Sequence, residues 1–499
     1  MIEGNEVVSS NGAIATGPPE AARAGARVFE RGGNAMDAAA AACLACAVLE
    51  PQAVDIGGYV AAAVVMEGRT GRIWSVDANS VAPAAARDGM FEALAPQPGK
   101  RGINELEYAC SVRDDANIYG PLSIGVPGFI GGVGTLWERW GCLRWAEVVS
   151  PARELVENGL QYGLVLGAIK VKRDVIAAFP ATAEILLPQN RIPDADQPWP
   201  RPDLARTLDR LASAGWRDFY DGELGRQIAD CVSAEGGILT REDMAAFAPL
   251  VTEPCTGQYR NAVIHTAIPP NGGFSVLDAL REFESAGGSP PDADPEYWDR
   301  FARALQSMWR RRLGLSDTGA SSHGTIHVSA ADREGNLVCI TISQGGLLGS
   351  CLAVPRTGII LGHGMCRFDP HPGHANSPGP GKRPLNNVCP LIIRMRDRDV
   401  AIGARGGRRI VSVCAQFAQR IIDFGATVYD AAAAPRMHIL TDEPLEISHN
   451  FDPAIRDALS ARGHRIEVPD EVAGAAHGAE ILKDTRQLRA GGNTWAAGI

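Results

Sequence analysis

The pattern of apolar and polar positions near the N-terminus predicts one strand and two helices. The segment Val7 to Ile14 predicts a short strand and turn, and Pro18-Pro19-Glu20 then opens a helix that continues to Glu30. The following segment, Ala35 to Leu49, is nearly all apolar. A helix without a polar face packs inside a protein, so we expect this second helix to be buried.

Two strands and a long helical region are predicted next. Tyr59 to Met66 is rich in β-forming residues, and Ile73 to Val76 is the expected partner strand. From Thr135 to about Phe247 the pattern is mostly helical. We expect the tryptophans of this region to pack in the core or between helices, and they are Trp137, Trp140 and Trp145.

A β-hairpin is predicted directly after the clearest break in the chain, the flexible segment that ends at Gly324. The alternating strand Thr325 to Ala330 comes first, and Leu337 to Ser343 is the return strand. If the turn centres near Glu334, Thr325 lies opposite Ser343 in the antiparallel pair. Two hydroxyl groups would then meet, although this pattern alone is also typical of ordinary strand residues.

Composition narrows the class of protein. The chain has 499 residues, of which 45% are hydrophobic, and a net charge of -10. This is ample for a large core, and the acidic balance argues against a nucleic-acid binder. The apolar run Ala38 to Leu49 is too short to cross a membrane, and the N-terminus lacks the basic and apolar parts of a secretory signal. We therefore expect a cytoplasmic protein that binds no membrane.

The eleven cysteines are expected to be reduced thiols, because no export signal accompanies them. Cys43 and Cys46 have the CxxC spacing of redox and metal sites. They lie inside an apolar helical run, where small buried cysteines are common, so we favour a packing role for both.

The segment Gly324 to Asn336 resembles the processing site of the gamma-glutamyltranspeptidases, whose usual pattern is Thr-Thr-His-x-Ser-x-x-Asp-x-x-Gly-Asn. Other landmarks of that family have similar counterparts in the same order over nearly the whole chain, which is thereby identified as a member. These counterparts are Gly32 to Ala39, Glu50-Pro51, Gly57-Gly58, Gly125 to Gly128, Gly237 to Asp243, Pro269 to Gly273, Lys382 to Leu385 and Gly406-Gly407.

The resemblance implies an α+β fold, the αββα four-layer sandwich of the N-terminal-nucleophile (Ntn) hydrolases. Both products of one self-cleaved precursor would build it, a large chain of residues 1–324 and a small chain of residues 325–499. The Thr325 hydroxyl would attack the carbonyl of Gly324, and we expect glycine there to permit a strained backbone. Hydrolysis of the resulting ester would leave Thr325 with a free α-amine.

The family mechanism needs neither metal nor cofactor. The α-amine of Thr325, with an ordinary pKa of about 7.7–8.0, would serve as the base for its own hydroxyl. Ser343 matches a threonine thought to orient the nucleophile. The backbone N–H groups of Gly406 and Gly407 match the oxyanion hole, which stabilises the tetrahedral intermediate.

The substrate pocket departs from the family pattern. Asn79 stands where members carry the arginine that binds the α-carboxylate of a glutamyl group, and Arg367 stands where they carry the aspartate that binds its α-amine. Both ionic contacts to a glutamyl group are thereby lost. Three further differences are Gly345 for an asparagine, Asn386-Asn387 for a pair of serines, and Ile326 for the second threonine.

These differences predict a substrate that bears a carboxylate. A cation at position 367 repels an α-ammonium group and attracts a carboxylate. The alternative is that Arg367 is a solvated surface residue. The candidate substrate-binding residues are Asn79, His327, Arg367, Asn386, Asn387 and Arg405. A metal site is disfavoured for His363, Asp369, His371 and His374, since they lie in a loop rich in proline and glycine.

Three functions remain open. We favour hydrolysis of a small carboxylate-bearing metabolite through an acyl-enzyme on Thr325. The bond would be an amide, or a carbon–carbon bond as proposed for relatives that release an oxalyl-like fragment in the alkylproline branch of antibiotic biosynthesis. The alternatives are a true gamma-glutamyl hydrolase or transferase, and a binding protein without activity on this fold. A homo-oligomer is compatible with the sequence.

The processing hypothesis predicts the intact mass of the purified protein. We expect two fragments that meet at Gly324 and Thr325, and a single full-length chain for Thr325→Ala, which lacks the attacking hydroxyl. Electrospray mass spectrometry of both proteins measures this. A wild-type chain that stays uncut would favour the binding protein.

Overall fold

A computed structural model describes residues 1–94, 111–287, 294–314, 324–441, 444–469, 472 and 474–499. The predicted flexible segment from Gly319 to His323 lies outside the described residues. In the described parts of the chain, we find no helix with the length and apolar character needed to cross a bilayer.

The helices fall into an N-terminal group, a middle group and a C-terminal group. They are α1 (Pro19–Glu30), α2 (Ala35–Leu49), α3 (Phe129–Trp140), α4 (Trp145–Glu157), α5 (Leu166–Ala178), α6 (Pro180–Leu186), α7 (Pro202–Ala214), α8 (Glu223–Ala234), α9 (Arg241–Ala246), α10 (Gly273–Ser285), α11 (Pro295–Gly314), α12 (Arg409–Phe424), α13 (Val428–Ala433) and α14 (Pro453–Ala461). The predicted helical region is confirmed, with two short strands inside it. Within that region Trp145 is buried and its ring lies 5.1 Å from the ring of Trp137.

The strands belong to one large sheet and three small ones. They are β1 (Ile2–Ser9), β2 (Gly12–Thr16), β3 (Val60–Met66), β4 (Ile73–Asn79), β5 (Leu160–Gln161), β6 (Pro198–Trp199), β7 (Leu250–Thr252), β8 (Cys255–Tyr259), β9 (Ala262–Thr266), β10 (Thr325–Asp332), β11 (Leu337–Ser343), β12 (Ala353–Val354), β13 (Ile359–Ile360), β14 (Leu391–Arg394), β15 (Arg398–Ala404), β16 (Met437–His438), β17 (Leu445–Ile447), β18 (Ile466–Glu467), β19 (Ala476–Leu482) and β20 (Leu488–Gly498). The predicted first strand is thus two strands.

The predicted four-layer sandwich is confirmed. Strands β4, β3, β11, β10 and β2 form one layer, and β19, β15, β14, β9 and β8 form the other. The long strand β20 joins the two layers into one sheet, because its first half pairs with β19 and its second half with β2. Strands β10 and β11 contact β15 and β19 face to face. The sheet therefore folds over on itself, and helices cover both outer faces.

Three apolar cores separate the layers. Helices α1 to α4 pack on the first layer around residues such as Ile326, Val328 and Ile340. Helices α10 to α13 pack on the second layer. The core between the two sheets contains Ala331 and Leu337. Because side chains alternate along a strand, odd-numbered positions of β10 face the second sheet and even-numbered positions face the helices.

Helix α2 lies at the centre of the first helical layer, and all of its residues are buried, as predicted. Its N-terminus is closed by a capping box, in which Asn34 accepts from the N–H of Asp37 and the Asp37 carboxylate accepts from the N–H of Asn34. Alanine dominates the helix and lets α1 and α4 approach it closely. The strand β10 rests on the same helix.

The hairpin has the predicted register. Thr325 pairs with Ser343, and the pairing continues without a bulge to Ala331 and Leu337. The turn is tied to α2 by Asp332, whose carboxylate accepts from the backbone N–H groups of Ala35 at 2.8 Å and Asn336 at 3.0 Å. The hairpin that begins at Thr325 is thus anchored at its far end to the most buried helix.

This anchor generates a stability prediction for Asp332→Ala, made in a Thr325→Ala background so that all chains are compared uncut. Loss of two backbone contacts and one side-chain contact should lower the free energy of unfolding by about 2–4 kcal/mol. Urea unfolding measures the change. In the matched control Asp174→Ala, whose side chain is 94% exposed, the change should stay within about 0.5 kcal/mol. Equal effects would argue against the anchor.

Candidate active site

The two predicted hydroxyl groups lie in contact between the sheets. Thr325 begins β10 and is 5% exposed, and its Oγ1 is 3.2 Å from Oγ of Ser343 on β11. Both residues occupy odd-numbered positions, which face the second sheet. The predicted nucleophile is therefore held at the end of the sandwich by a cross-strand partner.

The carbonyl oxygen of Gly324 is held by two donors. Oγ of Ser343 donates to it, and the backbone N–H of Gln344 lies 3.2 Å away. Ser343 Oγ also accepts from the N–H of Gly345 at 3.0 Å. Because the Ser343 proton is committed to Gly324, the Thr325 hydroxyl is the donor in its contact with Ser343. The carbonyl next to Thr325 is polarised for attack.

Glycine at position 324 is required by space and not by backbone strain. Its φ angle lies outside the left-handed region, so the expected strained conformation is wrong. A Cβ atom there would lie 2.9 Å from the carbonyl oxygen of Gly346. A larger residue would push the peptide bond away from its donors.

Gly406 and Gly407 form the link between β15 and α12. Their φ angles are 134° and 62°, which other residues rarely adopt, and both are buried. In the described part of the chain, neither N–H donates to a protein acceptor. Two buried N–H groups at the start of a 16-residue helix are suited to an anionic oxygen.

Arg405, next to these glycines, already holds a carboxylate of the protein. Its Nη1 lies 3.2 Å from Oε2 of Glu50, which follows α2. Burial raises the pKa of the Glu50 carboxyl, and the guanidinium of Arg405 opposes this shift. A substrate carboxylate at Arg405 would compete with Glu50. Sequence reasoning missed this pairing because the two residues are far apart along the chain.

Arg367 is buried, so the alternative of a solvated surface arginine is wrong. It is 4% exposed, and its Nη2 donates to the carbonyl of Gly345 at 2.8 Å. Its guanidinium lies 5.4 Å from the ring centre of Tyr59. Since Gly345 also donates to Ser343, Arg367 is linked through one residue to the partner of Thr325.

The space of the missing asparagine at position 345 is filled by His363. A Cβ atom on Gly345 would lie 2.2 Å from the His363 ring. Nε2 of His363 accepts from the N–H of Gly346 at 2.5 Å, and Nδ1 donates to the carbonyl of Ile118 at 2.9 Å. Burial, and next the charge of Arg367, lower the pKa of His363 to about 3. The ring is therefore neutral and fixed in one tautomer.

The three asparagines predicted to bind substrate form hydrogen bonds with other groups of the protein. Nδ2 of Asn79 donates to the carbonyl of Pro384 at 2.7 Å. Asn386 donates to Asn271 at 2.9 Å, and Oδ1 of Asn387 accepts from Arg312 at 3.1 Å. These bonds favour a supporting role for the asparagines.

The predicted substrate contact of His327 is at odds with its position. Nδ1 lies 2.9 Å from Oγ1 of Thr341, and Nε2 lies 2.9 Å from Oγ of Ser329. The ring is fully buried, and desolvation lowers its pKa to about 3. With both nitrogens occupied, His327 supports the strand below Thr325 as a neutral side chain.

Cys43 and Cys46 are buried free thiols, and His371 and His374 lie beside Asp369. Burial raises the pKa of the Cys46 thiol to about 12 and also raises that of the Cys43 thiol well above its ordinary value. Asp369 contacts His371 at 2.9 Å and His374 at 3.6 Å. Among the residues that the structure describes, no group of three or more His, Cys, Asp or Glu side chains is arranged to hold a metal ion.

The chain is similar to a known protein family in sequence and to a solved structure in fold. The family model described as gamma-glutamyltranspeptidase matches residues 21–321 and 313–499. The acylase ACY 1 proenzyme of Pseudomonas sp. (strain SE83) is 32% identical over 93% of this chain and 89% of its own length. The glutathione hydrolase proenzyme of Escherichia coli (strain K12) is 26% identical over 93% and 87%. The crystal structure of cephalosporin acylase from Bacillus halodurans has a TM-score of 0.83 at 25% identity, over 99% of this chain and 97% of that one.

The contacts of Ser343 predict that it assists cleavage after Gly324. In Ser343→Ala the carbonyl loses one of its two donors, and cleavage should slow by about 10²–10³-fold, as for the loss of an oxyanion-hole donor. The fraction of full-length chain, followed by intact mass over time, measures this. Ser343→Thr, which keeps the hydroxyl, should cleave far faster than the alanine variant. If both variants cleave like wild type, the contact has no role in cleavage.

Proposed function

The chain belongs to the gamma-glutamyltranspeptidase family of Ntn-hydrolases, and we propose that it hydrolyses a small amide substrate whose acyl part bears a carboxylate. The observation that carries this proposal is the buried Arg367, linked through Gly345 to Ser343, at the position where the resemblance predicts an acidic residue. A fixed guanidinium near the nucleophile favours a carboxylate in the acyl group.

The proposed reaction begins with maturation. Thr325 Oγ1 attacks the carbonyl carbon of Gly324, the peptide C–N bond breaks, and the nitrogen of Thr325 takes the proton that the hydroxyl gives up. Water then hydrolyses the ester. The products are a carboxylate on Gly324 and a free amine on Thr325, which divide the protein into chains 1–324 and 325–499.

Turnover uses the same hydroxyl. The free α-amine of Thr325 accepts the hydroxyl proton while Oγ1 attacks the substrate carbonyl. The N–H groups of Gly406 and Gly407 stabilise the oxyanion, since they are buried and lie at the N-terminus of α12. The leaving amine takes the proton from the α-amine as the C–N bond breaks. Water then attacks the ester carbonyl and gives a proton to the α-amine, which passes it to Oγ1 as the ester C–O bond breaks and the acid leaves.

Arg367 and His363 disfavour binding of the gamma-glutamyl group that typical members of the family accept. The cation at position 367 repels an α-ammonium group, and His363 fills the space beside Gly345. The relatives include an acylase proenzyme as well as a glutathione hydrolase proenzyme, so membership alone leaves both substrates open. Cleavage of a carbon–carbon bond through the same acyl-enzyme stays a prediction from the sequence.

Two chromogenic amides that differ in one group test the proposal. Glutaryl p-nitroanilide carries the distal carboxylate without the α-amine, whereas gamma-glutamyl p-nitroanilide carries both. We expect kcat/KM for the glutaryl compound to be larger by about tenfold or more, which corresponds to about 1.4 kcal/mol of discrimination. Release of nitroaniline measures both rates.

Variants at position 367 provide the control for the anilide comparison. Arg367→Gln should lower kcat/KM for the glutaryl compound and bring the ratio between the two compounds close to one. A wild-type preference for the gamma-glutamyl compound would show that the chain is an ordinary gamma-glutamyl hydrolase. A processed protein that hydrolyses neither compound would contradict the proposed acyl specificity.

A further inference from the structure

The side chain of Gln344 closes a ring of three hydrogen bonds at the end of β11. The backbone N–H of Asp55 donates to Gln344 Oε1 at 3.1 Å, and Gln344 Nε2 donates to the carbonyl of Ile360 at 2.8 Å. The N–H of Ile360 donates to Oδ1 of Asp55 at 3.1 Å, which completes the ring. Gln344 and Asp55 are both fully buried.

The ring joins three segments that are distant in sequence. Asp55 follows α2, Ile360 belongs to β13, and Gln344 follows the last residue of β11. Both the donor and the acceptor of the Gln344 amide are used, so the side chain has one orientation. The backbone of residue 344 is therefore fixed relative to the loop after α2.

The backbone N–H of the same residue faces the bond to be cleaved. It lies 3.2 Å from the carbonyl oxygen of Gly324 and 2.8 Å from that of Ala53. Because this N–H is shared between two acceptors, a small shift of the backbone at residue 344 changes which of the two carbonyl oxygens it contacts. If the ring opened, we expect the N–H to turn toward the carbonyl of Ala53, its nearer acceptor, and the Gly324 carbonyl would then lose a donor.

We propose that Gln344 is a positioning residue for maturation, whose side-chain ring aims its own N–H at the carbonyl of Gly324. The ring and the Ser343 hydroxyl together hold that carbonyl while Thr325 attacks it. This inference rests on the proposed self-cleavage. It assigns to maturation two donors at the end of β11, the Ser343 hydroxyl and the Gln344 N–H, which differ from the Gly406 and Gly407 pair proposed for turnover.

The two pairs of donors act on different carbonyl groups. In maturation the attacked carbonyl belongs to Gly324, and the oxyanion develops beside Ser343 and Gln344. After the ester is hydrolysed, Gly324 is no longer bonded to Thr325, whereas the Ala53 carbonyl that Gln344 contacts in the uncut chain is not part of the cleaved bond. Loss of the Gln344 amide should therefore slow the first reaction more than the second.

The test is the rate of self-cleavage of full-length Gln344→Met, followed by intact mass from the earliest purified sample. Methionine matches glutamine in length but offers no amide, so the ring opens without a large change in volume. We expect cleavage about 10- to 100-fold slower than in wild type, the usual effect of a reacting group displaced by about 1 Å.

Gln416→Met is the matched control. Gln416 on α12 is buried, donates to the carbonyls of Ser412 and Met437 and accepts from the N–H of Met437. The same change there removes three hydrogen bonds, one more than at Gln344, at a site without contact to Gly324. Melting curves of both variants in a Thr325→Ala background compare stability without interference from cleavage.

Slow cleavage in Gln344→Met beside wild-type cleavage in Gln416→Met, at similar losses of stability, supports the proposal. Equal cleavage rates in the two variants would overturn it. If Gln344→Met does not fold, Gln344→Asn decides, since asparagine keeps the amide but is too short to reach both partners. Cleavage of that variant at the wild-type rate would also overturn the proposal. A wild-type chain that stays uncut would refute self-cleavage itself, which is a different result.

Discussion

The antiparallel pairing of β10 with β11 is the constraint on which the candidate site depends. It brings Thr325 beside Ser343 and holds the carbonyl of Gly324 over Ser343 and the N–H of Gln344. A shift of one residue in this register would turn every odd-numbered side chain toward the helices. Hydrogen bonds hold the pairing at both ends of the hairpin. Asp332 forms them at the turn, and the ring around Gln344 forms them at the site.

The four-layer fold explains how such a polar group of side chains can be buried. Two sheets face each other, and their inner surfaces carry small apolar residues near the turn of the hairpin and hydroxyl and imidazole groups near Thr325. Each buried polar group needs a partner, and cross-strand neighbours supply it at fixed distance. His327 is an example, since Thr341 and Ser329 occupy both of its nitrogens and keep it neutral.

Which arginine of the site is available to a substrate carboxylate depends on the contacts of each arginine in the fold as much as on the sequence. Arg367 donates to the carbonyl of Gly345, whereas Arg405 is paired with the carboxylate of Glu50. Two arginines that are equivalent as sequence candidates are therefore different as ligands for a carboxylate. This difference leads us to base the proposed acyl specificity on Arg367.

The sequence by itself determined those helices, strands and turns that depend on residues close together along the chain. The apolar run of α2, the alternation of β10 and the turn after Asp332 predict the buried helix, the hairpin and the contact of Thr325 with Ser343, because helical and strand periods and turn chemistry depend on neighbouring residues. The glycine pair 406–407 could also be found by its match to the family pattern. Only the tertiary structure decided that Arg367 is buried, that Arg405 is paired, and that Gln344 contacts the carbonyl of Gly324. Those facts depend on segments hundreds of residues apart, or on a backbone N–H that every residue except proline has, and neither leaves a local pattern in the sequence.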